Sequence, residues 1–405
     1  MYFWENDKVY LRMIEEEDSE KLYTHLMDTD SRVQPEHGMA LPATVRTSEE
    51  MAEYAKECTN CGEELWFAIV NHDHEMVGYA VIDWMNERMG NAQLHIQIFR
   101  EHKRHRYAAN AAGILLRYLL HERRFEKVGC CVLEHNEEGN EFVRSIGMAL
   151  DGFRSEMFYI HGRYVGEYYY SMLREEYDKG AKRRDNFTIP DSNLGQLPDG
   201  IVKSGRLVTL PANPGDERAY FWKYDGIELR DMTKEEYLMN RAIVYDTEAC
   251  VFYDSDVKLP GCGSEELSDY ENAHLNFGGE DNRIEFSIWN DEDEYVGNIN
   301  LCGIDKKNGK FSYSVYILKE HRGKGYATKA LRLILWYGFM ELRMHKMICG
   351  ANDGNDGSAV VMRKVGCHVE GVLRNNEYYH GKYTDMVLFG VNKSEFMLFH
   401  GMDGK

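Results

Sequence analysis

Apolar and polar residues alternate over Arg206–Leu210, Ile284–Trp289, Tyr295–Leu301 and Phe311–Leu318, the period of two expected of half-buried strands. Asn290–Glu294 reads as the turn joining the second and third of these. From Tyr326 to Leu342 the period changes. Ala327, Ala330, Leu331, Ile334, Leu335, Tyr337 and Phe339 recur at helical spacing and predict one amphipathic helix. A short strand is predicted over Lys346–Gly350, a helix over Ser358–Lys364 that stops at Gly366, and a last alternating strand over Lys382–Val391. Residues from about 214 to 224 and 233 to 245 read as helices. Strands followed by strand–helix–strand–helix–strand predict an α/β fold, a mixed and partly parallel sheet flanked by helices.

The same pattern occurs twice. Shifted by 219 residues, the chain aligns with itself without a gap from about 65 to 172. LWFAIVNHDHEMVG (65–78) lies over IEFSIWNDEDEYVG (284–297), and IFREHKRHRYA (98–108) over ILKEHRGKGYA (317–327). Asn136, Gly147, Gly152, Gly162 and Tyr164 fall on Asn355, Gly366, Gly371, Gly381 and Tyr383. A repeat this long is a duplicated domain rather than a solenoid unit. Residues 179–200, rich in Gly, Pro, Asp and Asn and without apolar periodicity, read as a linker between domains at 1–178 and 201–398. SGRLVTLPANPGDE (204–217) reads as the restart of the second copy, by its echo of NDKVYLRMIEEEDSE (6–20). That restart leaves the second copy with roughly twenty extra residues, placed within Asn240–Asn282.

Composition narrows the class. A 43% hydrophobic share supports packed cores. No apolar run approaches the ~20 residues of a membrane span, and the acidic N-terminus lacks an export leader, so a cytoplasmic protein without membrane contact is expected. Nine cysteines without regular spacing fit free thiols in a reducing compartment. The net charge of −20 divides as −14 over 1–178, about +1 over 179–200 and −7 over 201–405. Such acidity argues against nucleic acid as a partner and favours a cationic small molecule or peptide, although solubility alone also explains it.

Arg322-Gly323-Lys324-Gly325-Tyr326-Ala327 lies between a predicted strand and a predicted helix. A glycine-rich turn that opens a helix exposes backbone N–H groups in a positive potential and suits a phosphate or pyrophosphate. In this sequence HRGKGYATKAL resembles the R/Q-x-x-G-x-G/A motif of the GNAT acetyltransferases. NDGSAVVMRKVG and EGVLRNNEYYHGKYTDMVLFG further along resemble the RimJ/RimL/spermidine-acetyltransferase branch. The resemblance covers nearly all of 205–392 and, more weakly, 65–172. It implies two tandem GNAT domains and acetyl-CoA as co-substrate, with its pyrophosphate on the backbone of 322–327. It also implies pantetheine along Ile317 and Leu318, with Asn355 beside the pantetheine arm. In the same pattern Glu377 is the general base and Ser358 supports or protonates the leaving sulfur. Asn355 also suits a turn cap, Ser358 a helix N-cap and Glu377 a solvated surface carboxylate. The tyrosine acid of many GNATs is excluded, because that position is Met362.

The first copy keeps the fold-determining glycines and loses the chemical positions. Arg104 and Arg106 stand where Gly323 and Gly325 stand, Gly139 replaces Ser358, and Phe158 replaces Glu377. A degenerate first domain is expected, with binding of another anion by its basic loop as the alternative. Cys58 and Cys61 have no second pair at zinc-site spacing, so no metal is expected. Cys130 and Cys131 read as core, and Tyr168, Tyr169 and Tyr170 as packing. The chain therefore reads as an N-acetyltransferase acting on a small cationic amine such as a polyamine or aminoglycoside. The alternatives are a peptide or protein α-amine as acceptor, or a non-catalytic CoA-binding scaffold. Two linked copies also suggest packing as a pseudo-dimer.

Overall fold

The computed structural model describes residues 3–27, 64–160, 162–180, 222–233, 283–379 and 381–400, with isolated positions at 53, 56, 57, 59–62, 236, 239, 246 and 252. The predicted linker at 179–200, except for its first two residues, and the strand at 206–210 lie outside them. So do the 204–217 segment and nearly all of 240–282. By its contacts the chain forms two compact units. The first holds Met1–Pro190 together with Gly371–Asp385, the second Asp191–Glu370 with Met386–Lys405.

In the first unit, β1 (Val9–Met13) leads through a tight turn to α1 (Ser19–Met27). β2 (Leu65–Asn71), β3 (Met76–Asn86) and β4 (Asn91–Ile98) form an antiparallel meander, and β1 pairs with β2. α2 (Tyr107–Arg117) then crosses to β5 (Lys127–Leu133), which runs parallel to β4. α3 (Glu137–Ser145) precedes the hairpin of β6 (Ala149–Ile160) and β7 (Arg163–Leu173), and α4 (Arg174–Asp178) follows it. β7 inserts between β5 and β6. Leu115, Leu119 and Phe125 pack against Phe67, Ile69 and Val128 in the core. Gly371 pairs with Gly152 of β6, and a Cβ on Gly371 would stand 2.5 Å from Gly152 Cα, a spacing only glycine permits.

The second unit repeats this plan. β8 (Lys223–Tyr224) and β9 (Ile227–Asp231) form a hairpin closed by Asp225 and Gly226, both at positive φ, as a two-residue hairpin loop requires. β10 (Ile284–Asn290), β11 (Tyr295–Asp305) and β12 (Lys310–Ile317) form the meander. α5 (Tyr326–Trp336) leads to β13 (Lys346–Asn352), parallel to β12, and α6 (Asp356–Lys364) follows. β14 (His368–Tyr379) and β15 (Lys382–Asn392), whose stretch Gly371–Asp385 belongs to the first unit, precede α7 (Lys393–Phe399). β15 lies antiparallel to β13. Phe339 anchors the core, with ring centroids 5.6 Å from Phe311 and 5.3 Å from Phe396.

Three expectations are corrected. The second copy does not restart at 204–217. The strand in the place of β1 is β9, whose Ile227 pairs with Asn290 as Val9 pairs with Asn71. FWENDKVYLR (3–12) thus corresponds to FWKYDGIELR (221–230), so the extra twenty residues within 240–282 disappear. The predicted helix at 214–224 fails at its end, where Lys223 and Tyr224 are strand. The helix predicted from Tyr326 to Leu342 is α-helical only to Trp336. Tyr337–Glu341 is a π-turn, in which the Leu342 N–H donates to Tyr337 O at 3.1 Å. Gly338 lies against Phe311 there, and a Cβ on it would come within 2.6 Å of that ring.

Candidate functional site

β12 and β13 are parallel, so the loops after both strands emerge at the same end of the pair, where ligands of α/β sheets bind. Their ladder is short. It pairs Lys310 with Lys346 and Phe311 with Met347 and then stops. Beyond Phe311, β12 keeps its partner β11 on one side, with Ile317 opposite Gly297, while the ladder to β13 has ended. An extended ligand can lie along such an edge.

After β12 comes one 3₁₀ turn, Lys319–His321, and then the glycine loop. Gly323 has φ of 78° and Gly325, the N-cap of α5, φ of 85°. The cap has no side chain, so the first N–H groups of α5 face outward uncapped by it. A Cβ on either glycine would meet no protein atom within 4 Å, so the space in front of this backbone is open. Arg322 points away from it: its Nε donates to Ile317 O at 3.0 Å, and its guanidinium pairs with Asp246. Leu318 continues the strand edge, its N–H donating to Val296 O at 2.9 Å. Lys324, Tyr326 and Ala327 complete the turn into the helix.

After β13, Asn355 caps α6, its Oδ1 accepting from the Ser358 N–H at 3.2 Å. Asn355 is thus the N-cap, and Ser358 sits inside the first turn, half-buried. Tyr313, on β12, lies buried beneath it. Met362 is buried in the core, where the Cys349 thiol donates to its sulfur at 3.3 Å.

Glu377 groups by its contacts with the first unit. It is 8% exposed, not a solvated surface carboxylate, and its Oε1 accepts from Asn376 Nδ2 at 3.2 Å. Lys127 lies near it, buried. Burial pushes the Lys127 ammonium down to about 8, and its Nζ donates to Asn376 Oδ1 at 3.0 Å. The second unit thus holds Ile317, Leu318, Arg322, Gly323, Lys324, Gly325, Tyr326, Ala327, Asn355 and Ser358, and the first holds Glu377.

The corresponding loop of the first unit has the same backbone. Arg104 has φ of 69° and Arg106, the N-cap of α2, φ of 64°. Arginine in the left-handed region costs about 1–2 kcal/mol per residue, so packing elsewhere holds this shape. Lys103 and Arg104 both reach Glu138, at 3.1 and 3.9 Å, which partly neutralises the basic cluster. Gly139 receives the cap from Asn136, and Phe158 is buried. Asp246 sits in a segment of weak periodicity, and Tyr313 reads in the sequence as a core strand residue. Leu94 opposite Ile82, where Tyr313 lies opposite Leu301, is the signal that sets Tyr313 apart. Among the described residues no group of His, Cys, Asp and Glu is arranged to hold a metal ion. Cys130 is buried and Cys131 half-buried, whereas Cys61 is an exposed free thiol and Cys58 lies outside the described residues.

Two stretches, residues 8–149 and 228–368, match the family described as Acetyltransferase (GNAT) domain. The chain belongs to this family of acyltransferases, which use acetyl-CoA, and carries its domain twice. It is 32% identical over 122 residues to the SPbeta prophage-derived uncharacterized N-acetyltransferase YokL of Bacillus subtilis, a stretch covering 30% of this chain and 69% of that protein. It is 34% identical over 100 residues to the putative ribosomal N-acetyltransferase YdaF of the same organism, covering 25% and 55%. The Spermidine N(1)-acetyltransferase of Escherichia coli is 26% identical over 140 residues, covering 35% and 73%. Among these relatives the chain thus spans between about half and three quarters of the length of the protein it matches. A spermidine N-acetyltransferase from Vibrio cholerae, solved with CoA and spermine, superposes with a TM-score of 0.38 at 20% identity, covering 42% of this chain and 98% of that one.

Proposed function

We propose that the second copy transfers the acetyl group of acetyl-CoA to a primary amine, and that a small cationic amine is the preferred acceptor. The observation that carries this reading is the left-handed, side-chain-free N-cap Gly325, with open space before it. That cradle suits the pyrophosphate on the backbone of Arg322–Ala327. The strand edge at Ile317 and Leu318 suits pantetheine, with Asn355 close to its arm.

An alkylamine has an ordinary pKa near ~10 and is protonated at neutral pH. It must shed a proton before its nitrogen attacks the thioester carbon. Glu377 is assigned that proton by the family pattern. As the C–N bond forms and the C–S bond breaks, the sulfur leaves as thiolate, and Ser358 directs its hydroxyl to it. The net charge of −20 supports a cationic acceptor through long-range attraction. The described cysteines are free thiols, which supports a reducing cytoplasm. No helix among the described residues is long and apolar enough to cross a membrane.

An amine panel read by thiol release tests the proposal. Polyamines and aminoglycosides are expected to outrun N-terminal peptides, with rates falling as salt rises. A best acceptor that is neutral or anionic overturns the preference. A protein that gains thermal stability with acetyl-CoA yet releases no thiol with any amine is a binding scaffold.

A further inference from the structure

Tyr313 is 8% exposed, and its phenolic oxygen is fully buried without closing a hydrogen bond within 3.5 Å. A buried hydroxyl left in this state costs stability, so a strand core would ordinarily hold an apolar residue there. The first unit does so: its corresponding residue is Leu94. The hydroxyl-bearing side chain that Tyr313 faces is Ser358, in the first turn of α6. In the first copy this partner is absent too, because its position is Gly139. Tyrosine and serine therefore occur together in one copy and are lost together in the other.

We propose that Tyr313 is a positioning residue for acyl transfer, its phenol donating to Ser358 Oγ so that the serine's own hydrogen points at the leaving sulfur. The inference rests on the transfer reaction proposed above. A serine hydroxyl rotates freely and has one hydrogen to give. A donor from below occupies a lone pair of Oγ and leaves that hydrogen directed upward. Bonds in such a chain also strengthen one another. No proton leaves Tyr313. Burial pushes its phenol well above the ordinary tyrosine value, so it stays a neutral donor throughout the working range. The two hydroxyls face each other without a closed hydrogen bond, and catalytic contacts commonly tighten only when substrate is bound.

The test is a double-mutant cycle on the full chain with acetyl-CoA and the best amine of the panel. Tyr313→Phe is expected to lower kcat about tenfold, the worth of one hydrogen bond in the transition state. The KM for acetyl-CoA stays unchanged, and the melting temperature is unchanged or raised, because an unpartnered buried hydroxyl has been removed. In a Ser358→Ala background the same change has no further effect on kcat. A Tyr313→Phe enzyme as fast as wild type, or one equally impaired in both backgrounds, overturns the proposal. If Ser358→Ala is slow while Tyr313→Phe is fast, only this inference falls. If Ser358→Ala matches wild type, or no amine is acetylated, the reading beneath it falls as well.

Discussion

Arg374 Nε donates to Asp151 Oδ1 at 2.8 Å, joining positions 223 residues apart in sequence. The same guanidinium reaches Glu176 Oε1 at 2.8 Å and Ser171 Oγ at 2.9 Å. Asp151 is 1% exposed, so this contact is what permits a charge at that depth. Arg374→Met should leave the carboxylate stranded. We expect a loss of about 3 kcal/mol from the first unit, at the low end for a broken buried pair because the Lys127 charge remains near. Urea denaturation followed through the first unit's tryptophans measures it, and a loss below about 1 kcal/mol would refute the clamp.

Acetyl-CoA should bind once per chain. Gly325→Arg is expected to abolish binding, since its Cβ and chain enter the open space before the N-cap. Arg106→Gly should leave the stoichiometry at one and stabilise the first unit by at most about 1 kcal/mol. Relief of left-handed strain is partly offset by the freedom glycine gains when unfolded. Calorimetric titration and melting read both outcomes, and two sites per chain would contradict the assignment.

Glu377→Gln should reduce kcat by roughly 10²–10⁴-fold, the usual contribution of a general base, while leaving acetyl-CoA affinity near wild type. Turnover close to wild type would remove Glu377 from the mechanism.

His400 sets an acid limit on the second unit. It is 1% exposed, and burial, followed by the charge of Arg332, lowers its pKa from 6.5 to about 4. Between these values the unfolded chain binds a proton that the native protein refuses. Stability therefore falls as pH drops from about 6.5 to about 4, by up to roughly 3 kcal/mol. His400→Phe should flatten that part of the profile, and an unchanged slope between pH 6.5 and 4 would show that His400 is not its source.

Where pattern and packing agree, the sequence was readable. The 219-residue register holds because β2 to β4 and β10 to β12 bury nearly the same positions, and Gly325 follows from the left-handed turn that opens α5. The strand of the second copy in the place of β1 was not readable. In Ile227–Asp231 only Ile227 and Leu229 are buried, and RLVTL at 206–210 imitates it with a stronger alternation. The π-turn at Tyr337–Glu341 escaped because its apolar spacing still satisfies a helix. Asp246 and Tyr313 escaped because their roles depend on partners distant in sequence: Asp246 on Arg322, and Tyr313 on Ser358.

The clamp on Asp151 also imposes an order in time. A ribosome adding about 5–20 residues per second needs roughly 10–45 s to pass from Asp151 to Arg374. During that interval the acid is already made and its partner does not yet exist. The copy synthesised first is thus the one that must wait, and its final closure comes only after almost all of the second copy has been made.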